Sequence, residues 1–272
     1  MYLIKSIVDI LIVILLLRLV ITPTEAYFNP IYRLIFRITD PVLTPSRYLT
    51  RSALTGIVFT ILALVVLRGL IYAGVSKATI VIALGISFYD LVRFLFQVYM
   101  VFWFVSVLAR RSYGLSFAGL IERAFAPLNM ISGRLGIPRR HFHLFAFLFL
   151  LLAYALLSTI VRLFVFQKSS LSLFLGLQSL GEGLILFLAL FPFPGFFSLV
   201  IIIGALLSWV SPDPSNPLVQ AIYGINEPLL RPFRRFVPLL AGLDLSPIVA
   251  LFVFHFVGAF GQQLIAGFLR SI

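Results

Sequence analysis

Apolar residues run along this chain in continuous blocks, not at alternate positions. Six blocks stand out, at 3–21, 53–75, 89–109, 142–166, 196–210 and 246–268. A helix of roughly 20 apolar residues crosses a bilayer, so these blocks predict membrane-spanning helices. Continuous blocks do not suit the alternating strands of a membrane barrel, and the fold class expected is all-α, a polytopic transmembrane bundle. The fifth block is short unless it extends back through Pro194. Two further stretches, 78–88 and 171–191, precede the third and fifth blocks. The first is too short to cross alone. The second is long enough but holds Glu182, Gly176, Gly181 and Gly183.

Between the blocks the chain repeats a polar phrase. Asn29-Pro30 recurs as Asn216-Pro217, Asp40-Pro41 as Glu227-Pro228, and Pro45 and Arg47 as Pro232 and Arg234, all shifted by one constant offset. A weaker copy lies between, where Pro127 answers Pro41. Fixed spacing of this kind marks one supersecondary unit used repeatedly. The units are span, loop, span: 1–76, a degenerate 77–168, and 169–272.

Within each loop, apolar residues fall at i, i+3, i+4 and i+7. They are Ile31, Leu34, Ile35 and Ile38 in the first copy, Phe117, Leu120, Ile121 and Ala124 in the second, and Leu218, Ala221, Ile222 and Ile225 in the third. That spacing is one stripe of a helix. Asn29 and Asn216 suit its N-cap, and Pro30 and Pro217 its first turn, where no N–H is needed. Pro41, Pro127 and Pro228 are expected to end that helix or to start another. Short amphipathic helices flanked by arginines lie at the headgroup boundary or close their own hairpin by packing on it.

Charge then sets the topology. The loops 22–52, 110–141 and 211–245 carry 4, 6 and 3 of the 21 Lys and Arg residues. With six spans all three loops face the cytoplasm and both termini face out; a seventh would put Arg231, Arg234 and Arg235 outside. The stretches 78–88 and 171–191 are therefore expected to be interfacial or re-entrant. The net charge of +12 belongs to these loops and to anionic headgroups, not to nucleic acid. A cleaved signal peptide is not expected at the N-terminus, because Arg33, Arg37, Arg47 and Arg51 follow the first block and its counterpart lies mid-chain.

The sequence holds no Cys, which removes disulfides, thiolate metal sites and Cys nucleophiles. Ionisable residues inside spans are the functional suspects. Asp9 is the deepest, and a possible ion path runs through Asp9, Asp90 and Glu182. The plainer readings are that Asp90 pairs with Arg93 three residues on, that Arg18 snorkels to the headgroups, and that Arg68 and Arg162 lie near span ends. His141 and His143 beside Arg139-Arg140 form a weak metal pattern. His255 is expected to hydrogen-bond a neighbouring helix, and Gly258 and Gly261 to permit close helix approach. No phosphate loop, nucleophile elbow or zinc-protease motif is present, so no cofactor is expected.

The chain resembles the YggT (YlmG) family of integral membrane proteins. The resemblance is carried by Asn29-Pro30, Thr39-Asp40-Pro41, Pro45 and Arg47. It is fuller in Ser208-Trp209, Asn216-Pro217, the run from Glu227 to Arg235, Pro238, Asp244 and Ser246-Pro247. The middle third departs, with Leu115-Ser116 in place of Asn-Pro, Ala126 in place of the acid and Ile131 in place of the second Pro. The resemblance implies a bacterial cytoplasmic membrane, or thylakoid in plastid relatives. It implies links to cell division, membrane organisation, osmotic tolerance and cytochrome assembly, and no catalytic residues.

Two functions are thereby expected in order. The first is a non-enzymatic scaffold or assembly factor that contacts anionic lipid and a membrane or cytoplasmic protein through Arg33, Arg37, Arg47, Arg231, Arg234 and Arg235. The second is an ion channel or transporter lined by Asp9, Asp90 and Glu182.

Overall fold

A computed structural model describes residues 2–50, 52–109, 118–165, 173–210, 213–237 and 244–271. Helices α1 (Tyr2–Val20), α2 (Pro23–Phe28), α3 (Pro30–Leu49) and α4 (Ala53–Ser76) come first. Next are α5 (Ile80–Ala109), α6 (Ala118–Ala124), α7 (Ala126–Arg134), a 3-10 turn at Arg139–His141, and α8 (Phe142–Val165). The last are α9 (Leu173–Leu188), α10 (Phe196–Val210), α11 (Pro217–Arg234) and α12 (Ser246–Ser271). The described residues are all-α. Four helices, α4, α5, α8 and α12, are long and apolar enough to cross a membrane, while α9 and α10 are shorter apolar helices.

One expectation is overturned at once. The stretch 78–88 is no separate interfacial helix; it is the first part of α5, which runs unbroken for 30 residues. No Pro interrupts 80–109, and Gly85, its one glycine, faces the side chain of Val165 in α8 so closely that a Cβ would collide. Close packing, not chain flexibility, explains that glycine.

Contacts gather the chain into two compact units, Met1–Leu95 with Leu156–Ser172, and Phe96–Ala155 with Leu173–Ile272. In the first, α1, α3 and α4 pack on one another. Val8, Ile12 and Leu15 of α1 meet Ile57, Ile61 and Val65 of α4, with Leu43 of α3 and Leu91 of α5 completing the cluster. Each set is a single helical stripe. In the second unit the core is aromatic. Phe191 packs against Phe104, Phe187, Phe197 and Phe254 at centroid distances of 5.0 to 5.3 Å.

Helices α9 and α12 run antiparallel, tightly enough that three glycines are required. A Cβ on Gly181 would come within 2.6 Å of Leu269, one on Gly261 within 2.9 Å of Leu188, and one on Gly258 within 3.0 Å of the Leu188 carbonyl and closer to Pro192. The close approach expected of Gly258 and Gly261 is thus present. α9 accordingly lines the second half of α12. The first half meets α11 through Phe233 on Phe254, Asp244 just before α12 accepts from Arg234, and α11 in turn packs on α10. The 173–210 segment therefore passes α12 as two half-helices whose break, at 189–195, lies level with Gly258. The break is closed locally: the Phe197 N–H donates to the Leu190 carbonyl at 3.0 Å, and the Ser198 hydroxyl donates to the Phe191 carbonyl.

The prolines are the second correction. α3 continues through Pro41 and Pro45, and α11 through Pro228 and Pro232. A helical Pro leaves the carbonyl four residues earlier without its donor. Arg37 and Pro41, which carry the carbonyls freed by Pro41 and Pro45, are exposed, so water or headgroups can serve them. Hydroxyls also bond the backbone within the helix, Thr44 to the Asp40 carbonyl at 2.9 Å and Thr39 to the Ile35 carbonyl at 2.7 Å. Only the middle copy divides, into α6 and α7 on either side of Phe125.

Substituting Gly258 by Leu should therefore lower the thermal unfolding temperature in detergent, by the roughly 1–3 kcal/mol that overpacking costs. The same change at Gly267, where an added Cβ would meet no other part of the protein within 4 Å, should leave it unchanged. Equal effects at both positions would refute the α9–α12 contact.

Candidate functional site

Arg68 is the organising residue of the first unit. It lies on α4 at 0% exposure, about 12 Å from the helix end at 1.5 Å per residue. The near-end reading of its charge therefore fails; this guanidinium is buried. Each of its three nitrogens has a partner. Nε reaches the Ser87 hydroxyl at 2.9 Å, Nη2 the Ser87 carbonyl at 2.6 Å, and Nη1 the Asp9 carboxylate at 2.7 Å. Ser87 donates onward to the Val65 carbonyl at 2.7 Å. The next residue, Gly69, admits α5 closely enough that a Cβ would lie 3.0 Å from the Leu84 Cα. That approach brings Ser87 within reach of Arg68.

A second carboxylate joins this network. Asp90 accepts from the Lys5 ammonium at 2.8 Å and from the Tyr72 hydroxyl at 3.3 Å. Its partner is thus Lys5 of α1, not Arg93, whose guanidinium lies 5.6 Å from the Tyr89 ring. Arg162 also donates to the Tyr89 hydroxyl, at 2.8 Å. Asp9 and Asp90, two members of the expected ion path, are therefore brought together among Lys5, Arg68, Tyr72 and Ser87. Glu182, the third, is half-buried on α9 in the other unit.

The loop helices form the second candidate surface. The Asn29 side chain accepts from the Ile31 N–H at 2.9 Å and that of Asn216 from the Leu218 N–H at 2.9 Å, so the two caps are alike, each followed by its proline. Asp40 and Arg47 stand at the same spacing as Glu227 and Arg234, and each pair is joined by an ion pair, the first at 2.6 Å. Two helical turns bring such residues onto one face. In the first copy Arg18 also binds Asp40 at 2.9 Å, Thr39 at 2.5 Å and the Phe36 carbonyl at 3.1 Å. Arg18 therefore docks on α3 instead of snorkelling. In the third copy Arg234 also binds Asp244, at 2.9 Å.

These contacts set the carboxylates. Burial pushes Asp40 up, but its hydrogen bonds from Arg18 and Arg47 and their charges outweigh it and hold the group below the ordinary carboxylate range. Burial likewise pushes Asp244 up, and its bonds with Ser246 and Arg234 bring the balance below that range. Both are ionised at neutral pH.

The remaining arginines project differently. Arg33 donates to the Tyr27 carbonyl at 2.5 Å, and Arg37 is exposed. Arg231 and Arg235 line a cleft with Arg140 and His143. Leu34 and Leu218 of the predicted stripes are 53% and 58% exposed, whereas Leu120, Ile121 and Ala124 of the middle copy are buried; Phe117, like Pro238, lies outside the described residues. His255 is exposed and makes no hydrogen bond to a neighbouring helix among the described residues. Among those residues, too, no cluster of three His, Asp or Glu side chains could hold a metal. Sequence reasoning did not assign Lys5, Tyr72 or Ser87 to a site, and only the one-turn spacing of Lys5 and Asp9 hinted that α1 carries both.

Replacing Arg68 by Met should destabilise the detergent-solubilised protein by about 3–5 kcal/mol, since it leaves a buried partner charge uncompensated. Adding Asp9→Asn should restore much of that loss. A double variant no more stable than the single one would show that Asp9 and Arg68 do not act as a pair.

Comparison with known proteins places the last third of the chain. The family model described as CCB3/YggT matches residues 183–265, from the middle of α9 into α12. An uncharacterized protein of Pseudomonas aeruginosa is 54% identical over 54 residues, which are 20% of this chain and 27% of its own length. The Escherichia coli protein YggT is 32% identical over 81 residues, 27% of this chain and 43% of its own. YlmG homolog protein 2, chloroplastic, of Arabidopsis thaliana is 33% identical over 73 residues, 27% of this chain and 29% of its own. The matches span less than half the length of each of these relatives. No solved structure matches the chain. With its apolar helices and the Asn216-Pro217 to Asp244 segment inside the matched region, the stretch 183–265 of this chain is that of the CCB3/YggT family of membrane proteins.

Proposed function

We propose that this protein is a non-enzymatic scaffold of a bacterial cytoplasmic membrane. It crosses six times as three helical hairpins, with α9 and α10 together forming one broken crossing. The basic connecting helices face the cytoplasm, and both termini face out. The distribution of basic residues supports that orientation, and the antiparallel course of α9 along α12 supports the crossing count.

One observation carries the functional reading. Two proline-containing amphipathic helices, one in the first repeat and one in the last, have the same asparagine cap and the same acid–arginine pair. Each pair fixes its helix, while Arg33 and Arg37 on α3 remain at the surface. A held helix with outward cations suits contact with an acidic protein surface or anionic headgroups. The roles in cell division, membrane organisation or osmotic tolerance suggested by family resemblance fit a scaffold, which requires no catalytic residues.

Transport is the second reading, favoured by Asp9 and Asp90 within a buried ionisable network. The pairing of both acids with cations speaks for a structural role, since a transported ion would have to displace Lys5 or Arg68.

One pair of measurements separates the two. A photo-crosslinker placed at Tyr48 on α3, 87% exposed, should give a discrete protein adduct in intact membranes, and Arg33→Glu with Arg37→Glu should abolish it. An unchanged adduct in that variant would sink the scaffold reading. In proteoliposomes the parent should pass neither potassium nor sodium; selective flux lost in Asp90→Asn or Glu182→Gln would establish transport.

A further inference from the structure

Between the ends of α5 and α8 and the face of α11 lies a cleft of about 470 Å³. Its size falls in the range of small-molecule sites, roughly 300–1,000 Å³. Val107 and Leu108 come from α5, Arg140 and His143 from the turn into α8, and Pro228, Arg231, Pro232 and Arg235 from α11 and its cap. The α11 residues fall at i, i+3, i+4 and i+7, a single helical stripe. Arg235 continues that stripe because its backbone is still helical, at φ −75° and ψ −26°.

The charge of this cleft is of one sign. Its described lining carries three arginines and no carboxylate. Glu227, the acid nearest in sequence, is on the stripe that pairs with Arg234, and Arg234 also takes up Asp244. The corresponding positions of the first copy hold Pro41, Thr44, Pro45 and Tyr48. The prolines recur and the arginines do not, so the cationic stripe is a property of α11 and not of the repeated phrase. Two residues of the 139–143 motif, Arg140 and His143, find a place here.

The remaining walls are apolar. Val107, Leu108, Pro228 and Pro232 add hydrocarbon to the lining, and Val107 and Leu108 lie at the end of a helix long enough to cross a membrane. Trp209 and Phe236, flanking α11 in sequence, are 74% and 85% exposed, as side chains in contact with lipid would be. A soluble anion would need the cations alone. An anionic phospholipid uses both halves, with its phosphodiester bridging guanidinium donors and its first acyl carbons on the apolar wall.

We propose that this cleft binds the phosphate of an anionic phospholipid, held by Arg140, Arg231 and Arg235, with Pro228, Pro232, Val107 and Leu108 receiving the adjoining glycerol and acyl carbons. The inference deepens the scaffold reading, on which it rests only for a membrane setting: the lipid would seat α11 at the bilayer surface.

A reporter is already in place. Trp103 lies one helical turn before Val107, and its indole N–H donates to the His143 carbonyl at 2.8 Å. The other tryptophan is Trp209, so Trp209→Phe leaves Trp103 as the single fluorophore. The full chain carrying that change is reconstituted in phosphatidylcholine vesicles containing brominated phosphatidylglycerol or, separately, brominated phosphatidylcholine. The apparent affinity for the anionic lipid, read from Trp103 quenching, should exceed that for phosphatidylcholine at least about fivefold, as one basic contact supplies near a membrane surface. Arg140→Gln with Arg231→Gln and Arg235→Gln should remove the preference; Arg33→Gln with Arg37→Gln should not.

Equal quenching by the two lipids in the protein with its arginines intact would overturn the proposal without recourse to any variant. A preference lost equally in the Arg33 and Arg37 variant would reduce it to a general surface field and overturn the site. Millimolar inorganic phosphate that abolishes the preference would assign the cleft to a soluble phosphate and overturn the lipid. Should the triple variant fail to fold, Arg235→Gln alone is read instead, and an unchanged preference there counts against the site. None of these readouts involves a protein partner, so failure here leaves the crosslinking test at α3 standing.

Discussion

A guanidinium cannot stay in an apolar bundle unless each of its directions is answered, and Arg68 imposes that condition on the first unit. Burying a charge without partners costs several kcal/mol, so α1 must present Asp9 and α5 must present Ser87 at the same depth. Asp9 brings Lys5 with it one turn away on α1, and Lys5 in turn engages Asp90. The register of three helices is thus tied to one residue. Apolar packing of Ile12, Leu15, Ile61 and Val65 supplies adhesion, but such surfaces tolerate sliding. A buried ion pair does not, and register is the best-supported use of buried polar groups.

The second unit solves the same problem without a buried arginine among its described residues. Its register comes from shape. Gly181, Gly258 and Gly261 each face a side chain or carbonyl that a Cβ would strike, so α9 and α12 fit in few positions. Asn226 provides a polar counterpart on α11: its amide donates to the Val200 carbonyl at 2.9 Å, directly against Gly204. In the third copy Asn226 takes the place that Thr39 has in the first, just before the acid, and both are buried. One position of the repeated phrase thus carries a buried polar side chain in the first and third copies, with different partners.

Much of the fold was legible because its cause is local. Continuous apolar blocks specify helices, and the edges at 53, 142, 196 and 246 agree with the structure because Ser52, Gly195 and similar residues mark the change in pattern. What escaped was non-local or competitive. Pro41 and Pro228 read as helix ends because a proline removes a hydrogen bond; whether the helix survives depends on hydroxyls and solvent that a residue count does not reveal. Asp90 read as Arg93's partner because helical neighbours are visible in sequence, while Lys5, on a helix far back along the chain, is not. Similarly, the stripe of Leu34 and Leu218 was legible as a stripe, but not whether lipid or protein would meet it.

The two locked helices differ in a way that bears on where the protein's positive charge acts. In the first copy the lock is Arg18–Asp40–Arg47, two cations on one acid. In the third it is Glu227–Arg234–Asp244, two acids on one cation. The first lock ties its helix back to α1, and the second ties its helix forward to the start of α12. The middle copy, with Ala126 at the acid's position, lacks the acid on which such a lock is built, and its helix is divided. A triad with two acids neutralises its own arginine and leaves a residual negative charge, so the surface cations of α11 must come from elsewhere. Arg231 and Arg235, absent from the corresponding positions of α3, are that source. The repeated phrase therefore builds the support, and the residues it does not repeat decide what each support holds.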